Sequence, residues 1–550
     1  MKIHRRSLTF AASSLVAIVV ACGSSSSSDD SSIPADASTT DATLGSDAST
    51  DAASSDAGLD AGLAKAPFDW VGVIGTGQSL SVGATANSMT TTQPFHNLKL
   101  VDTGPDPKYP IFPDSGAPVW ATTPLVEPIR VHTAGPADGG YGDGQYPDNI
   151  AGETPHSGMA NTLTTIWKAR GGEGEYVTAH TVVGWSGNCL SHIDKEGGYR
   201  AYPASIEETR VWKSLAAAAG KTYGVGGLIL THGECDAGNA DYGTGLYQFW
   251  QDYDADIKAI TGQSRDPILF ISQQSTIASG ATGSAVQVWQ QAVAHPGQIV
   301  VTGPKYQYGY NPGLLHLPAP GYEELGEKYA EIFDLFVNQN VAWKPLQPNK
   351  ISRAGAVVTI TFDVPNPPLV WDAHMPLAHQ GATNAEWKNG KGFEVTSGAT
   401  KLTISSATIS GSTVVLTLSA DPGAAAKVTV GYALTQDGTG TQGGTANGLV
   451  GSLRDSDPFV GWDAETIAAN VTNGSTTITG AAGAFTRRAT KDIVSVATDG
   501  GISADTVVTS ATSDTQLTLS APWSGATGTA MLSFRHDEYN YCVHFTMTQP

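Results

Sequence analysis

From Phe68 to about Asn340 the chain alternates short apolar runs with longer stretches whose apolar residues recur every three or four positions. WVGVIG (70–75), VTAHTVVGW (177–185), GLILTHG (227–233), ILFISQQ (268–274) and QIVVTGP (298–304) have strand length. Several are apolar throughout, the pattern of strands covered on both faces. SGMANTLTTIWKAR (157–170), SIEETRVWKSLAAAAGKTYG (205–224), GLYQFWQDYDADIKAITG (245–262), GSAVQVWQQAVAH (283–295) and APGYEELGEKYAEIFDLFVN (319–338) read as helices. In the last of these, Tyr322, Leu325, Tyr329, Ile332 and Phe333 fall on one face. The order predicts an α/β fold, a three-layer doubly wound parallel sheet. Ligands of such sheets bind beyond the carboxyl ends of the strands, where Gly75–Ser79, Trp185–His192 and His232–Asp236 fall.

After VAWKPLQPNK the period changes from helical to alternating. AVVTITFDVP (356–365), KLTISSATISGSTVVLTLS (401–419) and AKVTVGYAL (426–434) are rich in Val, Thr and Ile between Gly, Asn and Pro turns, as in an antiparallel β-sandwich. STTITGAAGAFT (475–486) and DTQLTLSAPW (514–523) form a second such region. The expected organisation is an α/β domain over 66–340, a β-sandwich over 341–463 completed by 535–550, and a small β module inserted at 464–534. Trp343, Trp371, Trp387 and Phe393 are candidate sugar-stacking residues of the sandwich, with core packing as the alternative.

The N-terminus adds a compartment. Lys2, Arg5 and Arg6 precede an apolar run, Leu8 to Val20, that is short for a membrane span, and Val19-Val20-Ala21-Cys22 resembles the lipobox of bacterial lipoproteins. By that resemblance residues 1–22 are a lipoprotein signal and Cys22 is lipidated, anchoring an exported chain to the cell envelope, at the outer membrane or cell surface. An ordinary secretory signal or a short anchor helix is the alternative. Residues 23–65 are almost entirely Ser, Asp, Ala, Gly and Thr and read as a disordered tether. The net charge of −21 over 550 residues argues against nucleic acid as a partner. Three cysteines follow Cys22. Either Cys189 and Cys235 pair and Cys542 stays free, or all three are buried thiols. No CxxC or HExxH spacing occurs, so no metal and no cofactor are expected.

Candidate chemistry starts at GTGQSLSVG (75–83), where Ser79 follows a strand in a turn. Alone it reads equally as a helix cap. Far along the chain, in NPGLLHLPAPGYEELGEKYAEIF, His316 stands just ahead of Pro318 and Pro320 and then a helix, which suits a general base. GQSLS, VVGWSGNCLSHI, THGECDA and LLHLPAPGYEELGEKYA together resemble, in order, the four blocks of the SGNH hydrolase superfamily, in its sialate O-acetylesterase and acetylxylan-esterase-like branch. The resemblance covers roughly 70–336. It implies Ser79 as nucleophile, His316 as base, and the N–H groups of Ser79 and Gly187 as the oxyanion hole, with Gln78, Trp185 and Asn188 near the substrate cleft.

Two positions depart from the family pattern. Gly313 stands where an aspartate usually precedes the base, so His316 either works in a dyad or is oriented by Glu234 or Asp236. The third block lacks its asparagine, leaving His232, Glu234 and Cys235 around that position; His232 and Glu234 are equally readable as a pair that holds the loop. The expectation is a serine esterase removing acetyl groups from a glycan, such as an O-acetylated polysaccharide or sialic acid. A catalytically inactive glycan-binding or adhesion lipoprotein is the alternative.

Overall fold

The computed structural model describes residues 65–104, 119–129, 151–198, 200–278, 280–311, 315–436, 449–496, 501–503 and 505–549. Cys22, the tether and Gly313 lie outside them. The described residues belong to one compact unit. No helix among them is long and apolar enough to cross a membrane.

The α/β part is built on seven strands: β1 (Trp70–Gly77), β2 (Leu98–Asp102), β3 (Trp120–Pro124), β4 (Val177–Val182), β5 (Tyr223–Thr231), β6 (Ile268–Gln273) and β7 (Ile299–Pro304). They lie in the order β3-β2-β4-β1-β5-β6-β7, all parallel except the edge strand β3. The apolar runs read from the sequence are the five consecutive strands β4-β1-β5-β6-β7. The pair β2 and β3, which the pattern did not reveal, extends one edge.

Helices cover both faces because alternate strand residues bury on opposite sides. Val71, Val73, Ile229, Phe270 and Val300 pack with α1 (Pro155–Ala169) and α6 (Ala319–Phe333). Ile74, Leu228, Leu230, Leu269 and Val301 pack with α3 (Ala201–Ala218), α4 (Tyr242–Thr261) and α5 (Ser284–Ala294). A single turn, α2 (Leu190–Ile193), precedes α3. Thr154 caps α1 by accepting from the His156 N–H at 3.2 Å, and its own hydroxyl donates to buried Glu127 at 2.6 Å.

Two four-stranded antiparallel sheets follow. One runs 400–401, 393–397, 429–432, 545–548; the other runs 404–410, 413–418, 357–363, 347–354. The C-terminal strand Phe545–Thr548 thus pairs with Thr429–Tyr432, across a long excursion of the chain. Phe362 of one sheet meets Phe393 and Phe545 of the other, with ring centroids 6.2 and 6.3 Å apart. Trp387 and Phe393 are core residues here, while Trp371 and Trp343 are half-buried against the cores. The excursion forms a six-stranded antiparallel sheet between Glu465 and Arg535, with its own core of Val471, Ile478, Phe485, Leu517 and Phe534.

These β regions change the fate of α6. Its apolar face is buried as its periodicity predicts, but Glu323, Glu324, Glu327 and Lys328 on the other face are also 5 % exposed or less. Residues 455–463, 487–492 and 536–538 cover them. Six carboxylates, Glu323, Glu324, Glu327, Asp463, Asp492 and Glu538, crowd this interface with side chains no more than 6 % exposed. Arg487 (paired with Glu323), Arg488, Lys491, His536 and Lys328 (paired with Glu331) are the cations among them. Carboxylates therefore outnumber cations where water is excluded.

Candidate active site

The register of the sheet brings the candidate loops together. Gly75 lies beside Val182 and Gly77 beside Thr231, so β1, β4 and β5 end at one edge. Beyond β1 the backbone passes through extended Gln78 into a 3-10 turn, Ser79–Ser81. The Ser81 hydroxyl donates to the Gln78 carbonyl at 2.6 Å, and the Ala84 N–H donates to the Ser79 carbonyl at 3.1 Å. These bonds fix a tight turn with Ser79 at its head.

His316 arrives from the loop between β7 and α6. The Asn311 N–H donates to the His316 carbonyl at 2.8 Å, while the Asn311 side chain donates to the carbonyls of Thr85 at 2.9 Å and Leu317 at 3.1 Å. The Tyr322 hydroxyl donates to the Ala84 carbonyl at 3.0 Å. Asn311 and Tyr322 thus tie the histidine loop to the serine turn. The result is a distance of 2.8 Å between His316 Nε2 and Ser79 Oγ, in hydrogen-bond contact. Burial lowers the pKa of His316 below the usual imidazole value, and the negative charge of Glu234 opposes that shift. A neutral imidazole with Nε2 facing a hydroxyl can accept its proton.

Gly187 follows β4 with φ of +74°, a left-handed conformation that a side chain would strain. Among the described residues no hydrogen bond uses the N–H of Gly187 or of Ser79. Both are available donors. Several contacts hold their loop: the Trp185 N–H donates to the Gly77 carbonyl at 2.8 Å, and Cys189 is disulfide-bonded to Cys235. The Asp236 carboxylate accepts from the Leu190 N–H at 2.7 Å and from Asn239 at 2.8 Å. Cys542 is a buried free thiol.

Several expectations are corrected by these contacts. His232 does not pair with Glu234: its ring nitrogens face the Tyr242 hydroxyl and the Asn188 carbonyl, each at 3.0 Å. Both partners satisfy a fully buried imidazole, which burial pushes below its usual pKa, so it positions the Gly187 loop from behind. Glu234 pairs instead with Lys305 at 2.7 Å, both side chains 2 % exposed or less. Among the described residues neither Glu234 nor Asp236 hydrogen-bonds His316. Glu234 acts on it through its field alone. Gln78 and Trp185 are buried, as Ser79 is; Gln78 accepts from the Cys235 N–H at 3.2 Å. Asn188 is half-buried, its amide donating to the Ser186 carbonyl at 3.0 Å.

Lys305 and Asn311 were not singled out in the sequence, and Tyr322 only as part of the apolar face of its helix. Asn311 lies in a turn-forming NPG triplet, which was a usable signal; Lys305 carried none, because a lone lysine after a strand reads as surface. Beside the serine turn, a cleft of about 530 Å³ opens between Thr85–Met89, Pro318–Gly321 and the β module's Phe485, Thr486 and Asp514. Neither Ser79 nor His316 lines it.

No family model matches the chain, and no curated protein matches its sequence. Among solved structures, a carbohydrate acetylesterase from Xanthomonas citri is similar at 12 % identity over 66 % of this chain and 75 % of that one, with a TM-score of 0.41. A protein from Arabidopsis thaliana shares 14 % identity over 48 % of this chain and 96 % of its own, at a TM-score of 0.33. NanS shares 11 % over 49 % and 98 %, at 0.30. At these TM-scores the likenesses carry no weight for the reaction, which rests on the residues themselves.

Proposed function

We propose that this chain is a serine esterase that removes acetyl groups from carbohydrate, with Ser79 as nucleophile and His316 as general base. The observation that carries the proposal is the 2.8 Å contact between Ser79 Oγ and His316 Nε2, at the end of a sheet where two backbone N–H groups have no acceptor among the described residues. Ser79 Oγ attacks the ester carbonyl carbon while its proton passes to His316 Nε2. The N–H groups of Ser79 and Gly187 hold the oxyanion, each such donor lowering the barrier by roughly 3 kcal/mol. The C–O bond to the sugar then breaks, and the imidazolium returns its proton to the departing sugar oxygen. Water, deprotonated by the same imidazole, attacks the acyl-serine and releases acetate.

The four sequence blocks support acetylated glycan as the substrate class, in the manner of the sialate O-acetylesterase and acetylxylan-esterase-like branch of the SGNH hydrolases. The N-terminal leader supports export and lipid anchoring through Cys22, which places the reaction at the cell envelope. With no carboxylate hydrogen-bonded to His316 among the described residues, the site works as a dyad whose imidazole is held by its loop. Acetate release from acetylated xylan and from O-acetyl sialic acid tests the reading. The expected result is turnover of at least one of them, lost by at least about 10³-fold in Ser79→Ala; equal release by both proteins would overturn it.

A further inference from the structure

The carboxylate excess over α6 is concentrated at one point. Glu324 of α6, Asp492 just ahead of the strand Ile493–Val496, and His536 just after the strand Gly528–Arg535 bring one ligand atom each within 4.8 Å of the others, all three residues buried. Glu324 Oε1 and Asp492 Oδ1 both lie 3.3 Å from His536 Nδ1. A carboxylate and an imidazole in direct charge-assisted contact close to about 2.7–2.9 Å. Two ligands bound tetrahedrally to one zinc-sized ion at ~2.0–2.1 Å are instead ~3.3–3.4 Å apart, the edge of the coordination polyhedron. The two separations from His536 Nδ1 match the edge, and the Glu324 and Asp492 ligand atoms lie within 4.8 Å of each other.

Two further observations point to a ligand here. The second oxygen of Glu324 makes no hydrogen bond although the residue is only 5 % exposed, so a buried carboxyl oxygen is available as a further donor. On the other side of the ring, His536 Nε2 faces Glu538 Oε1 at 3.6 Å, and that oxygen too makes no hydrogen bond. That carboxylate lies on the side where metal-bound histidines keep a carboxylate partner, although 3.6 Å is longer than a hydrogen bond.

We propose that Glu324, Asp492 and His536 form a structural binding site for one divalent transition-metal ion of the zinc type, with Glu538 orienting the imidazole. One nitrogen and two carboxylates suit such an ion, whereas calcium and magnesium take oxygen alone. Its two positive charges offset the carboxylate excess of the interface. Because the ligands come from α6 and from the adjoining ends of two neighbouring strands of the six-stranded sheet, where Ile493 pairs with Arg535, the ion clamps that edge of the sheet to the helix whose preceding loop carries His316. The sequence pattern gave no warning, since the ligands stand far apart along the chain and only the insertion of the β module brings them together.

The test uses the full chain, dialysed against zinc chloride, freed of excess ion and assayed for bound metal, then melted with and without EDTA. The expected result is about one equivalent of zinc retained, with a melting temperature lowered by several degrees when the chelator removes it. Asp492→Asn and His536→Gln are expected to lose the equivalent while Ser79 still reacts with a fluorophosphonate, which shows that the α/β part remains folded. Wild-type protein that retains no zinc and melts alike in zinc and EDTA would overturn the proposal, leaving His536 as an imidazolium clamped by carboxylates. Full retention of zinc in folded Asp492→Asn would overturn it as well. Neither reading depends on esterase activity.

Discussion

At the scale of single residues, the chemistry turns on the charge state of His316. Burial disfavours its imidazolium and lowers its pKa, so the neutral base persists below the usual imidazole range of about 6.5. Activity should therefore be full at neutral pH and fall only as pH drops through that depressed value. A pH profile of kcat/KM is expected to show an acid limb below about 6.5. Glu234→Gln removes the anion that opposes the shift and leaves the Lys305 cation behind, so the limb should move further down. An acid limb above the usual value, or one unmoved in a folded Glu234→Gln protein, would contradict this account of the field. The same scale shows where residue identity misleads. His232 and Glu234 stand two apart in HGECDA and invite pairing, yet the backbone turns between them at Gly233, with a φ of +121°, and each finds its partner on another element.

At the scale of elements, the sequence was most informative where periodicity was long or apolar runs were continuous. The five consecutive parallel strands and the five long helices follow from it, because burial on two faces and burial on one leave different signatures. Strands β2 and β3 were missed: each is five residues long, and the half-buried WATTP lacks any clear alternation. The burial of the polar face of α6 was not legible for a different reason. Its glutamates and lysine satisfy the pattern of a solvent-facing surface, and only a distant segment folding over it reverses the environment. Junctions between elements give a sharper test. A Cβ on Gly184 would fall 1.8 Å from the Ser81 hydroxyl, which itself fixes the serine turn through the Gln78 carbonyl. Gly184→Ala is expected to cost about 1–3 kcal/mol of stability by overpacking and to reduce kcat more than KM by displacing Ser79. Denaturant unfolding and steady-state kinetics check both, and an unchanged kcat would show that the turn tolerates the intrusion.

At the scale of the whole molecule, the β-sandwich is continuous with the α/β core. One hydrophobic cluster contains Leu269, Val286 and Trp289 together with Val358, Val430 and Phe545. Polar contacts seal the same seam: Gln273 donates to the His544 carbonyl at 2.9 Å, Tyr306 to the Cys542 carbonyl at 2.6 Å, and Trp289 to Gln347 at 3.0 Å. Truncation after Asn340 would expose this seam and the buried charges of α6 together. The truncated chain is expected to be insoluble or to melt far below the full chain, whereas the full chain melts with the α/β and sandwich signals in one transition. A truncated protein that keeps the full melting temperature would contradict a shared core.

The central claim is that one hydroxyl and one imidazole, brought from opposite ends of the α/β part, act as a nucleophile and its base. Fluorophosphonate labelling followed by peptide mass spectrometry measures this directly, because the probe phosphonylates only an activated serine. The account predicts a single adduct on Ser79 whose rate of formation falls by orders of magnitude in His316→Ala. Folded wild-type protein that takes up no label at Ser79, or labels equally fast without His316, would contradict it.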